Sequence, residues 1–228
     1  MTDDEHEGPE DPEEATRSED AKRTRDAAPP QDDGFRPLTV DYERLRHSTD
    51  SSELSAEARR TLPDRSDQAA FSRATALLEA VAGNAATPVD DRVLLATTMP
   101  FPNILVKLSE DPDPRVRAAV AGNPNDKNWL VGRLTKDPDV TVRGAALRNP
   151  STSWRMRLEG AQDPRTDTDT LGFLAGLGLG DDGSPRVLAV MVRRAVALNP
   201  SVASGTLDVL AGDPDPDVAR AARSRRMA

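Results

Sequence analysis

Apolar residues in this chain recur at helical rather than alternating spacing. Ala69, Ala70, Phe71, Ala74, Leu77, Leu78 and Val81 fall three and four residues apart, the pattern of a helix with one buried face. Ser66 stands where an N-cap belongs. Gly83 and Asn84 follow as a stop, since both tolerate a left-handed backbone. The ordered body is therefore expected to begin near Ser66. No run of alternating β-branched residues predicts a strand.

A repeated phrase follows. DPDPRVRAAVAGNP begins at Asp111 and DPDVTVRGAALRNP at Asp137; VMVRRAVALNP, from Val190, matches its end, and DPDPDVARAAR, from Asp213, matches its start. Asp-Pro recurs at Asp111, Asp137, Asp163 and Asp213, spaced 26, 26 and 50; Asn-Pro recurs at Asn123, Asn149 and Asn199, spaced 26 and 50, with a degenerate Met99-Pro100 before them. Aspartate can accept the free N–H groups of a helix start, and proline suits the first turn because its missing N–H is not needed there. Val116, Ala119 and Val120, then Val142, Ala145 and Ala146, then Val192, Ala195 and Val196 form an apolar stripe rich in small side chains. Asparagine ends each helix and proline prevents its continuation. A second short helix lies between phrases, marked by Ile104, Leu105 and Leu108, by Leu130, Val131 and Leu134, and by Leu207 and Leu210. One such pair cannot bury both its faces, whereas stacked neighbours can. The fold expected is all-α: a short α-solenoid over residues 66–228.

Charge and composition add a tail. Residues 1–65 hold 19 acidic and 10 basic residues, a net of −9, while residues 66–228 hold 20 of each. Hydrophobic residues make up only 36% of the chain, below the ~45–50% of a globular domain. Residues 1–34 have almost no large apolar side chain and are read as disordered. Within 35–65, Phe35, Leu38, Val40, Tyr42 and Leu45 form a small apolar cluster. It is either a linker packing loosely on the body or, over 35–47, a short motif for a partner. The first residues, MTDDEHEGPEDPEE, lack the basic start and apolar run of a secretory signal. No stretch reaches the roughly 20 apolar residues of a membrane span. A cytoplasmic protein without membrane association is expected.

The phrase DPDPRVRAAV resembles the second helix of HEAT repeats, and the shorter period, with VAGNPN and LRNPS between helices, is similar to the leucine-rich repeat variant family of bacteria. The resemblance covers about residues 74–225. It implies stacked short helices acting as a binding scaffold. The iron–sulfur cluster of one variant-repeat context does not carry over, because the chain has no Cys. Hydroxylases on HEAT-like repeats use His-Glu pairs, but the only histidines are His6 and His47, and His6-Glu7 lies in the tail. A hydrolase would need a base beside its nucleophile, and the body has no histidine to serve. No catalytic residue, cofactor or metal site is therefore assigned.

Candidate partner-binding residues are Arg117, Arg143 and Arg193, at equivalent repeat positions, and Trp129 and Trp154. The arginines either pair with aspartates such as Asp113 or Asp139 or form a groove for an anion. That anion could be a partner's acidic segment, the chain's own tail in an autoinhibitory role, or a phosphate backbone. The tryptophans are either packing residues or a binding hot spot. Gly178, Gly180 and Gly183 formally match GxGxxG, but no strand precedes them, and a flexible Gly-rich insertion near 171–185 is the plainer reading. Asp163, Asp167, Asp169, Asp181 and Asp182 lack the spacing of a calcium loop. The leading functional reading is a protein–protein scaffold. The alternatives are a nucleic-acid-binding solenoid of DNA-repair type, which the neutral body argues against, and a regulatory subunit of a larger enzyme. Partner identity and oligomeric state are not legible.

Overall fold

The computed structural model describes residues 36–125, 128–180 and 183–227. The acidic stretch 1–35 and Asp181 and Asp182 lie outside the described residues. One compact unit begins at Leu38. Among the described residues there are thirteen helices and no strand. They are α1 (Leu38–His47), α2 (Ser51–Ala58), α3 (Gln68–Ala82), α4 (Val89–Thr98), α5 (Pro102–Leu108), α6 (Pro114–Gly122) and α7 (Asn128–Leu134), then α8 (Val140–Arg148), α9 (Trp154–Gln162), α10 (Thr168–Ala175), α11 (Arg186–Leu198), α12 (Ser204–Leu210) and α13 (Pro216–Arg226).

The body starts well before Ser66. Leu45 of α1 and Leu54 of α2 are fully buried in the same core as α3. The side chain of Asn84 donates to the carbonyls of Leu45 and Ser48, at 2.7 and 2.8 Å. Residues 38–58 are therefore core structure rather than a loose linker or free motif. The α3 helix forms over the predicted apolar spacing, but its cap is Asp67, whose side chain accepts from the N–H of Ala70.

The repeated Asp-Pro-Asp has two jobs. Its second aspartate is the N-cap: Asp113, Asp139 and Asp215 accept N–H groups at the starts of α6, α8 and α13. Its first aspartate, Asp111, Asp137 or Asp213, accepts the N–H two residues on, each at 2.9 Å. That leaves carboxylate oxygen for an arginine from an earlier helix.

The most extensive packing links α1 with α3, then α4 with α6 and α6 with α8, then α9 with α11 and α11 with α13. Shorter helices fill the spaces; α5 touches α3, α4 and α6, α7 lies against α6 and α8, and α12 against α10, α11 and α13. Buried asparagine amides tie the three packed sets. Asn123, after α6, donates to Ala96 O and Met99 O at the end of α4. Asn149, after α8, donates to Ala121 O and Asn123 O at the end of α6. Asn199, after α11, donates to Ala161 O and Asp163 O at the end of α9. Each amide satisfies carbonyls that a helix terminus leaves without an intrahelical partner.

The asparagine is missing where a set begins. The helix α4 ends at Met99 and α9 at Asp163, and neither follows a helix of its own set. Asp163-Pro164 therefore closes α9 instead of opening a helix, as its likeness to Asp111-Pro112 implied. Asp163 instead accepts from Arg165, through the backbone N–H at 2.9 Å and the side chain at 2.8 Å. At the two set boundaries one long helix follows another directly. There Thr87 and Thr152 donate back to Val81 O and Ala146 O, closing the turn. The buried core divides at the second boundary: one cluster runs from Leu45 to Ala146, the other from Ala161 to Ala222.

The glycine-rich segment has a steric reason. Gly178 has φ +70°, and a Cβ there would lie 2.5 Å from the Cβ of Ala189. The segment turns tightly against the start of α11, and only glycine fits. Gly178→Ala is expected to cost at least about 1–2 kcal/mol from the left-handed backbone alone, whereas Gly180→Ala, with open space around it, should stay within about 0.5 kcal/mol. Urea denaturation of the two variants checks the contrast.

Candidate functional site

The repeated arginines are interior ties. Arg92 reaches Asp111 through Nε at 2.7 Å, Arg117 reaches Asp137 at 2.8 Å, and Arg193 reaches Asp213 at 2.8 Å. Arg117 and Arg193 add a second contact through Nη2, at 3.0 and 3.1 Å, to the other carboxylate oxygen. Nη1 of Arg117 and of Arg193 donates to a backbone carbonyl, Asp111 O and Leu177 O. The Asp137 hydrogen bond holds the Arg117 guanidinium above the ordinary arginine range. The acceptors are the first aspartates of the next phrase, not the capping Asp113 and Asp139.

Arg143 breaks the pattern. Its Nη1 donates to Asp137 O and Pro138 O and its Nη2 to Arg165 O, all at 2.9 Å. Its Nε is buried with no hydrogen-bond partner. The aspartate at the matching distance along the chain is Asp163, which is engaged by Arg165 because it caps α9. That contact also holds the Asp163 carboxyl below the usual carboxylate range.

Arg143 and Arg193 are buried, at 6% and 3% exposure, and Arg117 is half-buried in its ion pair. Among the described residues the row is therefore engaged in internal ties rather than lined up along an open groove. Trp154 is half-buried against the second core, with the Arg157 guanidinium 5.0 Å from its ring centre. Trp129, at the start of α7, is 57% exposed. The five candidates do not form one surface.

The exposed apolar face is on α11. This helix buries Ala189, Val192, Ala195, Val196 and Ala197 inward and shows Val187, Leu188, Met191 and Leu198 outward, with Val187 73% exposed. Val187, Met191 and Leu198 recur near helical period, with Arg194 filling the position between the last two. A groove of about 550 Å³ runs along this face; Leu158 of α9 and Val190 help line it, and Arg186, Arg194, Asp215 and Asp217 bring charge to it. Sequence reasoning read only the inward stripe. The signal was present in RVLAVMVRRAVAL, which is apolar on more of its circumference than one buried face requires.

The lining of the groove is apolar side chains with Gln162, two arginines and two aspartates. Among the described residues no group of three or more His, Cys, Asp or Glu is placed to hold a metal ion, and no helix is long and apolar enough to cross a membrane. The arrangement can bury apolar surface and pair charges, which is chemistry of association.

No family model matches the chain, and no curated protein matches it. Among solved structures, a crystal structure of an engineered protein from the Northeast Structural Genomics Consortium is similar at 14% identity, covering 82% of this chain and 86% of that one, with a TM-score of 0.21. At that score the likeness carries no argument.

Proposed function

We propose that the chain is a short α-solenoid, akin to leucine-rich repeat variants and HEAT-like repeats, that serves as a non-catalytic protein-binding scaffold in the cytoplasm. The observation carrying this reading is the outward face of α11: four exposed large apolar side chains, three of which (Val187, Met191 and Leu198) line the groove, on a helix whose other face is already buried. Contiguous exposed apolar surface of this kind marks an interaction site more often than an ordinary solvated surface. The asparagine and arginine ties support it, because they hold α9, α11 and α13 in fixed relation and so preform the groove.

The expected result is that a partner co-purifying with the full chain is lost on Met191→Glu and kept on Trp129→Ala. Met191 is 46% exposed, so its replacement should leave the thermal unfolding midpoint nearly unchanged. Co-purification with mass spectrometry, alongside circular dichroism melts, checks this. Retention of every partner by the folded Met191→Glu protein would sink the assignment of this face.

A further inference from the structure

We infer that the α11 face is occupied by a second copy of this chain, packed about a two-fold axis. The inference rests on the proposal that this face binds protein, and it names the occupant.

Three observations carry it. First, the face is apolar and open: Val187, Met191 and Leu198 of α11 are exposed and, with Leu158 of α9, line the groove. Two-fold packing sets the same patch against itself, so each chain covers the exposed apolar side chains of the other. Second, its charges are self-complementary. Arg186 and Arg194 lie on α11, and Asp215 and Asp217 lie at the start of α13 on the same groove. Charges of both signs on one groove let a rotated copy set an arginine of one chain against Asp217 of the other, while Asp215 keeps its capping bonds. Third, Arg186 and Arg194 are exposed and, among the described residues, make no ion pair or hydrogen bond of their own. Arg92, Arg117 and Arg193, by contrast, each bind a carboxylate. Among the described residues Asp217 pairs with Arg220 of its own helix, at 3.0 Å and largely exposed, a contact worth little in water and easily exchanged. Among the described residues, both arginines thus have donors left to meet carboxylates across an interface.

Sedimentation of the full chain over the micromolar range is expected to give the mass of two chains. Met191→Glu gives the mass of one. Arg194→Glu weakens association at least about tenfold, and Asp217→Arg added to it recovers most of the loss. The chain has no Cys, so Met191→Cys, near the centre of the stripe, is a single thiol; mild oxidation should yield a disulfide-linked dimer. Val209→Cys, more exposed still at 64% but on α12, should not. A single-chain mass across the range overturns the inference, as does a dimer that survives Met191→Glu. If the single-chain mass accompanies a different protein captured through Met191, the scaffold reading stands and only the second copy is excluded.

Discussion

Asp213→Ala is expected to lower the unfolding free energy by about 3–5 kcal/mol, the cost of leaving a buried charge without its partner. Arg193 and Asp213 are almost wholly enclosed, with side chains 3% and 1% exposed. The guanidinium holds both carboxylate oxygens, at 2.8 and 3.1 Å. Without Asp213 the cation keeps the Leu177 carbonyl but no carboxylate among the described residues, and the Asp215 N–H loses its acceptor. Replacing both partners by apolar residues, Arg193→Met with Asp213→Leu, should recover much of the loss, because no orphan charge remains. Asp163→Ala is the matched control: the same dipeptide, but its arginine, Arg165, is exposed. That change should cost no more than about 1 kcal/mol. Urea denaturation separates the two outcomes, and equal costs would overturn the different roles given to Asp163 and Asp213. Contacts here run mainly between neighbouring helices, so hydrogen exchange in Asp213→Ala should rise in α11–α13 and least in α1–α3.

The helices were legible because their apolar spacing and punctuation are local. The ends of α6, α8 and α11 follow from Asp-Pro and Asn-Pro, and the buried positions Val116, Val120, Val142 and Val196 follow from the stripe. What escaped is what local pattern cannot encode. Arg117 and its acceptor Asp137 are 20 residues apart; both are visible in the sequence, but which of two aspartates caps and which receives is decided by packing. The helix α1 escaped because LTVDYERLRH buries only Leu45 fully, too little to show as a stripe. The repeat register over 165–190 stayed open in the sequence for a related reason. Asp163-Pro164 copies the opening of a phrase, while α9 packs as the first long helix of a new set. The outward face of α11 was overlooked because each apolar residue was credited to the core, when Val187, Met191 and Leu198 face water.

The asparagine ties make the second large prediction, and its sign with pH is unusual. The Asn149 side chain is 2% exposed; it donates to Ala121 O at 2.7 Å and Asn123 O at 3.0 Å, and accepts from Ser151 N–H at 2.9 Å. Asn149→Ala orphans these groups and should cost about 2–3 kcal/mol. Asn149→Asp should cost more at neutral pH, about 3–5 kcal/mol, since a buried carboxylate would face two carbonyl oxygens. Protonated, the introduced carboxyl regains an O–H that can donate to one of them. Its folded pKa therefore lies above its unfolded value. The folded state then binds the extra proton, and the variant gains stability relative to wild type as pH falls through that raised pKa. The native carboxyls behave oppositely. A hydrogen bond from Thr141 lowers the pKa of Asp139, and one from Arg165 lowers that of Asp163. Their contribution is complete above the unfolded value of about 4 and is lost below it. Urea midpoints measured from pH 8 to pH 4 should thus converge for Asn149→Asp and wild type, while Asn149→Ala stays a constant distance below. A gap between Asn149→Asp and wild type that does not narrow would show that the Asn149 amide is not the donor holding α8 to α6.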